Sequence, residues 1–259
     1  MAYGGARYLV RIVSMPSKNA RGPDLSELAR GAEKAFANAD RLYWTAVLIR
    51  ESGDNGEHGA QATAYFLHQI SLEELAKVEI LGHWATSLLA GHDVDVSEVL
   101  FAIRDHRTKN RTNAYMLEKS EEERLAEERG DWQAAFEAFS KLKDDFHLKS
   151  NLSKNEALYV NYQNGRFIHP NEAISAQKVE EIYERNKEFL WLMRSRLGML
   201  PGWVQDPEGI AGTIVWFMGR VEQLRAEFSD DPRKVHTVIM AELRERELAR
   251  RGLNGHVGS

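Results

Sequence analysis

Between Asp24 and Gly198 apolar residues return at spacings of three and four, and acidic caps mark where the runs begin. That pattern confines the chain to packed helices. Asp24-x-x-Glu27 follows Pro23 and reads as a capping box. It opens a helix to about Glu51, with Leu28, Ala32, Ala35, Phe36, Ala39, Leu42, Tyr43 and Ala46 on one face. The alanines let a neighbouring helix come close. Ser52 to Gly59, rich in Gly and Asn, is a loop. A second helix is expected from about Ala60 to Leu89, stopped at Gly91. A third runs from the Asp95-x-x-Glu98 box to about Lys119, and the short link between the two makes an antiparallel hairpin.

Both of these helices carry polar groups where a core stripe should be. The second helix's stripe reads Ala64, Leu67, Ser71, Glu74, Val78, Leu81, Ala85, Leu88, with Glu74 near its centre. The third reads Val99, Ile103, His106, Asn110, Asn113, Leu117. A buried neutral polar group without a partner costs roughly 2–7 kcal/mol, so this concentration marks a candidate site. Hairpin register sets Glu74 and Lys77 level with Lys109, Asn110 and Asn113. Leu72, Leu75 and Ile80, on the far side of the second helix, call for a further apolar contact, either a dimer or another helix.

Downstream, Glu121 to Arg129 is a charged helical stretch broken at Gly130, and Asp131 caps a helix that begins at Trp132. Ala157 to Pro170 alternates β-branched and aromatic residues around Asn164-Gly165, the signature of a β-hairpin. A helix starting at Asn171 or Ser175 ends at Gly198, burying Val179, Ile182, Tyr183, Asn186, Phe189, Leu190 and Met193. Met199 to Gly209 reads as a linker, followed by helices around Ile210–Phe228 and Pro232–Arg250. The expected fold class is all-α, an antiparallel bundle with one hairpin insert and extra C-terminal helices. Its divisions are an N-terminal arm (1–23), a helical domain (24–198), a C-terminal helical extension (199–250) and a disordered tail (251–259).

Composition narrows the function. A net charge of -5 leaves no bulk basicity to advertise nucleic acid, although local basic clusters can still hold phosphate. The absence of cysteine removes disulfides, thiolate metal sites and cysteine nucleophiles, and fits a reducing compartment. No stretch approaches the ~20 apolar residues of a membrane span. The N-terminus lacks the apolar core of a signal peptide. A cytoplasmic protein without a membrane partner is therefore expected. Arg7 to Val13 reads as a short strand or an arm ordered on docking.

Each chemical group has a plainer reading beside the functional one. Glu73 and Lys77 form a surface i,i+4 pair, while Glu74 is either a bridging core carboxylate or the orienter of a basic group. His106 is either a hydrogen-bonded core histidine or a proton shuttle near neutral pH. Lys109 and Arg107 can stabilise developing negative charge. Glu79-x-x-x-His83 is the best metal-ligand spacing, yet the paired Glu-x-x-His repeats of di-iron bundles are missing, and no metal or cofactor is expected. Tyr159, Tyr162 and Phe167 of the hairpin either stack on bases or pack the hairpin onto the bundle, with packing the expected outcome.

Four blocks then carry a family resemblance: Ala35-Phe36-Ala37-Asn38-Ala39-Asp40-Arg41-Leu42, Ser71-Leu72-Glu73-Glu74-Leu75-Ala76-Lys77, Asp105-His106-Arg107-Thr108-Lys109-Asn110, and Glu156-Ala157-Leu158-Tyr159-Val160-Asn161-Tyr162 before Pro170. In order and spacing the chain from Asp24 to Gly198 resembles the AbiV-type abortive-infection family of the HEPN superfamily. The resemblance implies a helical bundle, a homodimer and a role in prokaryotic defence against phage. It also implies metal-independent RNA cleavage by attack of a ribose 2′-hydroxyl, which many relatives perform with an Arg-x4–6-His motif. On this reading the motif is absent: Arg104 to His106 and Arg166 to His169 are too short, and Lys141 to His147 has Lys in place of Arg. The family's block positions fall on Glu73, Glu74, Lys77, Asp105, His106, Lys109 and Tyr159. The expected catalytic set is Glu74, His106, Lys109 and Asn110, within one chain or shared across a dimer, with Lys77, Arg104, Arg107, Asn113 and Tyr159 binding RNA. The alternatives are a non-catalytic defence module that binds a phage or host protein, or a cleft for a signalling nucleotide.

Overall fold

The computed structural model describes residues 23–52, 60–228 and 231–250. The expected N-terminal arm, most of the first loop and the expected tail lie outside the described residues. What is described is all-α apart from one hairpin, and falls into two compact units.

The larger unit is a helical bundle. Helix α1 (Leu25–Glu51) is capped by Asp24, whose carboxylate accepts from the Glu27 amide at 2.8 Å, and buries the expected alanine-rich face. The close approach is real: a β-carbon on Gly31 would stand 3.1 Å from Leu81 of α2 (Ala60–Leu89). Helix α2 is the axis of the bundle. From Ser71 to Leu81 only Glu74 and Lys77 are not fully buried, and Leu72, Leu75 and Ile80 are all interior. Other helices of the same chain therefore supply the contact those three residues call for. A helix enclosed on every side has no single apolar stripe, which is why periodicity mislocated its polar core residue.

The third expected helix is two. Helix α3 (Val96–Arg104) ends at Asp105, which turns extended and caps α4 (His106–Asn113) by accepting from the Thr108 amide at 2.6 Å and the Thr108 hydroxyl at 2.7 Å. A single 3₁₀ turn, Ala114–Met116, follows. Helix α5 (Glu121–Glu128) packs on α6 (Trp132–Leu158), which carries on into strands β1 (Asn161–Gln163) and β2 (Arg166–Ile168). Asn164 and Gly165 both take positive φ, 51° and 82°, as the tight hairpin turn requires. After the short α7 (Pro170–Ala173), α8 (Ala176–Leu197) lies along α1. The expected linker is instead a helix, α9 (Leu200–Gln205), because Leu200 and Trp203 join the main core.

The smaller unit contains the hairpin of α10 (Pro207–Glu227) and α11 (Pro232–Arg250). It is held by Leu224, Val235 and Ile239, and by a two-pronged Arg220–Glu242 pair at 2.7 and 2.8 Å.

Candidate functional site

The polar core residue of α2 is Glu73, one position before the residue singled out from the stripe. Glu73 is 2 % exposed, and three basic side chains converge on it. Lys109 of α4 donates to Oε2 at 2.9 Å and Lys154 of α6 to Oε1 at 2.8 Å. His106, the first residue of α4, places Nδ1 2.6 Å from Oε2. Burial alone would raise the Glu73 pKa, but the hydrogen bonds and charges of Lys154 and Lys109 hold it below the usual carboxylate range. Glu74 is half-buried and pairs with Lys77 on the same helix, so the expected Glu73–Lys77 pair does not form.

Both lysines are buried, at 5 % and 7 % exposure, whereas the His106 side chain is 56 % exposed. The arrangement is thus a closed acid–base core with one imidazole at its rim. Lys154 Nζ also lies 3.4 Å from Nδ1 of His106, and the tautomer that donates from Nδ1 to the Glu73 carboxylate leaves Nε2 to exchange a proton. The Asp105 cap fixes where α4 starts and hence where this ring stands. The Asp105 carboxyl is itself held below its ordinary range: burial opposes this, and the two Thr108 hydrogen bonds and the nearby His106 and His147 favour it.

Around that rim, Arg107 and Arg111 flank Asp144 of α6 at 3.4 and 2.5 Å. Asn110 is fully buried, and its side-chain nitrogen lies 3.3 Å from Nδ1 of His147. Burial, and then the Arg107 charge, depress the His147 pKa. Asn113 serves the backbone, donating to the Leu72 carbonyl at 2.9 Å. Arg104 is exposed at the end of α3, and Tyr159 is exposed at the end of α6. The structure therefore brings His106, Lys109 and Asn110 of the expected set to one place. It adds Glu73, Lys154 and His147, and sets Glu74 and Lys77 aside as a separate pair.

A second polar cluster holds α1, α2 and α8 together. Asn186 donates to Nδ1 of His68 at 3.1 Å and to its carbonyl at 3.2 Å, and Ser71 reaches Asn186 at 3.2 Å and the Ala39 carbonyl at 2.8 Å. Burial lowers the His68 pKa from 6.5 to about 4, and its ring sits among those of Tyr43 and Tyr183. Of the metal-spacing pair, Glu79 is bound by Arg196 at 2.9 Å and His83 stacks edge-on with Trp84. Among the described residues no group of three or more His, Asp or Glu is disposed to hold a metal ion. No helix among them is long and apolar enough to cross a membrane.

Sequence reasoning passed over two signals. Lys154 and His147 lie seven apart on one helix, two turns on the same face, within a run otherwise rich in exposed charge. The Arg-x4–6-His spacing does occur once the whole chain is counted, from Arg250 and Arg251 to His256, but His256 lies outside the described residues. Lys141, the stand-in for that arginine, turns instead toward Glu122 of α5 at 3.6 Å.

Comparison with known proteins now adds to the geometry. The HEPN_AbiV family model, described as AbiV, matches residues 27–191. Over 107 residues the chain is 43 % identical to y4gJ, an uncharacterized protein of Sinorhizobium fredii, a stretch that covers 41 % of this chain and 56 % of that protein. The chain thus spans little more than half the length of this curated relative. No solved structure matches the chain.

Proposed function

This chain belongs to the AbiV family of HEPN proteins, and from that premise we propose that it acts in abortive infection against phage by cleaving RNA. The observation that carries the reading is the exposed imidazole of His106, held by a buried carboxylate that two ammonium groups keep ionised. In this reading Nε2 of His106 removes the proton from a ribose 2′-hydroxyl. The 2′-oxygen attacks the adjacent phosphorus, the bond from phosphorus to the 5′-oxygen breaks, and that oxygen leaves with a proton taken from solvent water. The products are a 2′,3′-cyclic phosphate and a 5′-hydroxyl. Glu73 orients the ring and stabilises the imidazolium once it forms. Lys109 and Lys154 outnumber the one carboxylate and give the rim a net positive field. Arg107, exposed beside His106, is placed to meet the phosphate. A homodimer carrying two such rims in the cytoplasm completes the proposal.

The test is end-group analysis of RNA from phage-infected cells that express the protein. Fragments ending in 2′,3′-cyclic phosphate, absent with His106→Ala, are expected. Equal fragments from both would remove His106 from the reaction.

One observation favours a second reading, a non-catalytic module that binds a phage or host protein. Glu73, Lys109 and Lys154 are sealed and mutually satisfied, as a core that fixes helix register would be. Protection against phage that survives His106→Ala would select this reading.

A further inference from the structure

The aromatic residues of the β-hairpin do not pack onto the bundle. Tyr162 and Phe167 are cross-strand partners, so both rings stand on one face of the hairpin, edge to face with centroids 5.1 Å apart. They are 66 % and 74 % exposed. Leu158, Tyr159 and Val160, which lead into the hairpin, are exposed as well. The sequence expectation that these rings serve as packing is therefore overturned. The hairpin is too short for its strands to bury anything, and its rings stay in solvent.

The position of this pair links it to the rim. Helix α6 supplies Lys154 to Glu73, ends at Leu158, and passes into β1 within three residues. At about 1.5 Å per residue in the helix and about 3.3 Å in extended chain, Tyr162 lies within roughly 20 Å of Lys154 along the chain. Arg166, also exposed, adjoins Phe167 in the sequence. A short single strand whose phosphate meets His106 and Arg107 can thus lay bases a few nucleotides away on the hairpin.

We infer that the hairpin face formed by Tyr162 and Phe167 is a base-stacking platform for the single-stranded RNA whose backbone crosses the His106 rim. The inference rests on the RNA reading above and deepens it. Stacking is tolerant of sequence because every base offers a π face, so the platform sets affinity and strand state rather than a base code. Duplex RNA, whose bases are already stacked on each other, binds more weakly.

The test measures binding apart from cleavage, using fluorescence polarisation of a labelled oligonucleotide with every ribose 2′-O-methylated. The expected result is that wild type binds and that Tyr162→Ala/Phe167→Ala weakens binding roughly 10- to 100-fold. The dependence of affinity on salt stays unchanged, because no phosphate contact is lost. Tyr162→Phe/Phe167→Tyr keeps wild-type affinity. Because the rings are exposed, the alanine variant melts with the wild type, which separates lost stacking from lost folding. Wild-type affinity in that variant overturns the platform, and would be expected if the rings instead dock a protein. Failure of the wild type to bind overturns both the platform and the RNA reading. Binding by wild type without cleavage of unmodified RNA overturns the cleavage reading and leaves the platform standing.

Discussion

Lys154 reaches Oε1 of Glu73 at 2.8 Å across 81 positions of sequence, and so ties the end of α6 to the middle of α2. With Lys109 on the other oxygen at 2.9 Å, the carboxylate neutralises part of a charge that the core could not otherwise hold. Glu73→Ala leaves two buried ammonium groups uncompensated. A loss of about 3–5 kcal/mol is expected, the usual cost of removing one partner from a buried pair. Glu74→Ala, which frees only the partly exposed Lys77, costs about 1 kcal/mol or less. Urea unfolding of the two variants side by side checks this. Equal losses would mean that Glu73 is not the residue the bundle depends on.

The same pair sets a pH dependence. The folded-state pKa of Glu73 lies below its ordinary 4.5, so its stabilising contribution is complete at pH values above that range. It is lost as pH falls through the folded value. The difference in unfolding free energy between wild type and Glu73→Gln should therefore be constant near neutrality and shrink only below about pH 4.5. A difference that already shrinks between pH 7 and 6 would contradict the assignment.

His68 works in a different window. Its folded pKa of about 4 lies below the ordinary 6.5, so the unfolded chain takes up the proton first. Stability should fall as pH drops from 6.5 toward 4, by up to about 1.4 kcal/mol per pH unit, and level off below. His68→Gln is expected to remove that component of the slope whatever its effect at pH 7. Urea melts at half-unit intervals would show it, and parallel profiles for the two proteins would refute it.

Asp105 links the fold to the proposed chemistry. Asp105→Ala removes the cap of α4, at a cost of about 0.5–2 kcal/mol, and releases the position of His106. Cleavage should fall further than this stability loss explains, while Asp105→Asn, which can still cap, retains most of it. Equal activity in the two variants, measured where both are folded, would show that the cap does not position the imidazole.

Much of the bundle was legible in the chain because its signals are local. Asp24, Asp131 and Ser175 cap helices near where their side chains announce them, and Asn164-Gly165 turns the hairpin. The alanine face of α1 follows from spacing alone. The interior of α2 does not, since a helix buried on all sides has no outward face from which to count, and the stripe slipped by one residue from Glu73 to Glu74. The break at Asp105 went unseen because Asp-His-Arg-Thr reads equally well as helix interior or as cap. Lys154 was hard to read as a site residue because its one local signal, a place two turns from His147 on the same helix face, does not indicate a carboxylate 81 positions away. The hairpin rings were misjudged for a physical reason: alternation shows which residues share a face, not whether anything covers it.

The central claim, that His106 is the proton acceptor in RNA cleavage, is tested most directly by single-turnover cleavage of a short oligoribonucleotide by the purified protein in EDTA, alongside His106→Ala. The account predicts EDTA-resistant cleavage by wild type, leaving a 2′,3′-cyclic phosphate, and a loss of about 100-fold or more in the variant. Cleavage by His106→Ala at the wild-type rate would contradict it.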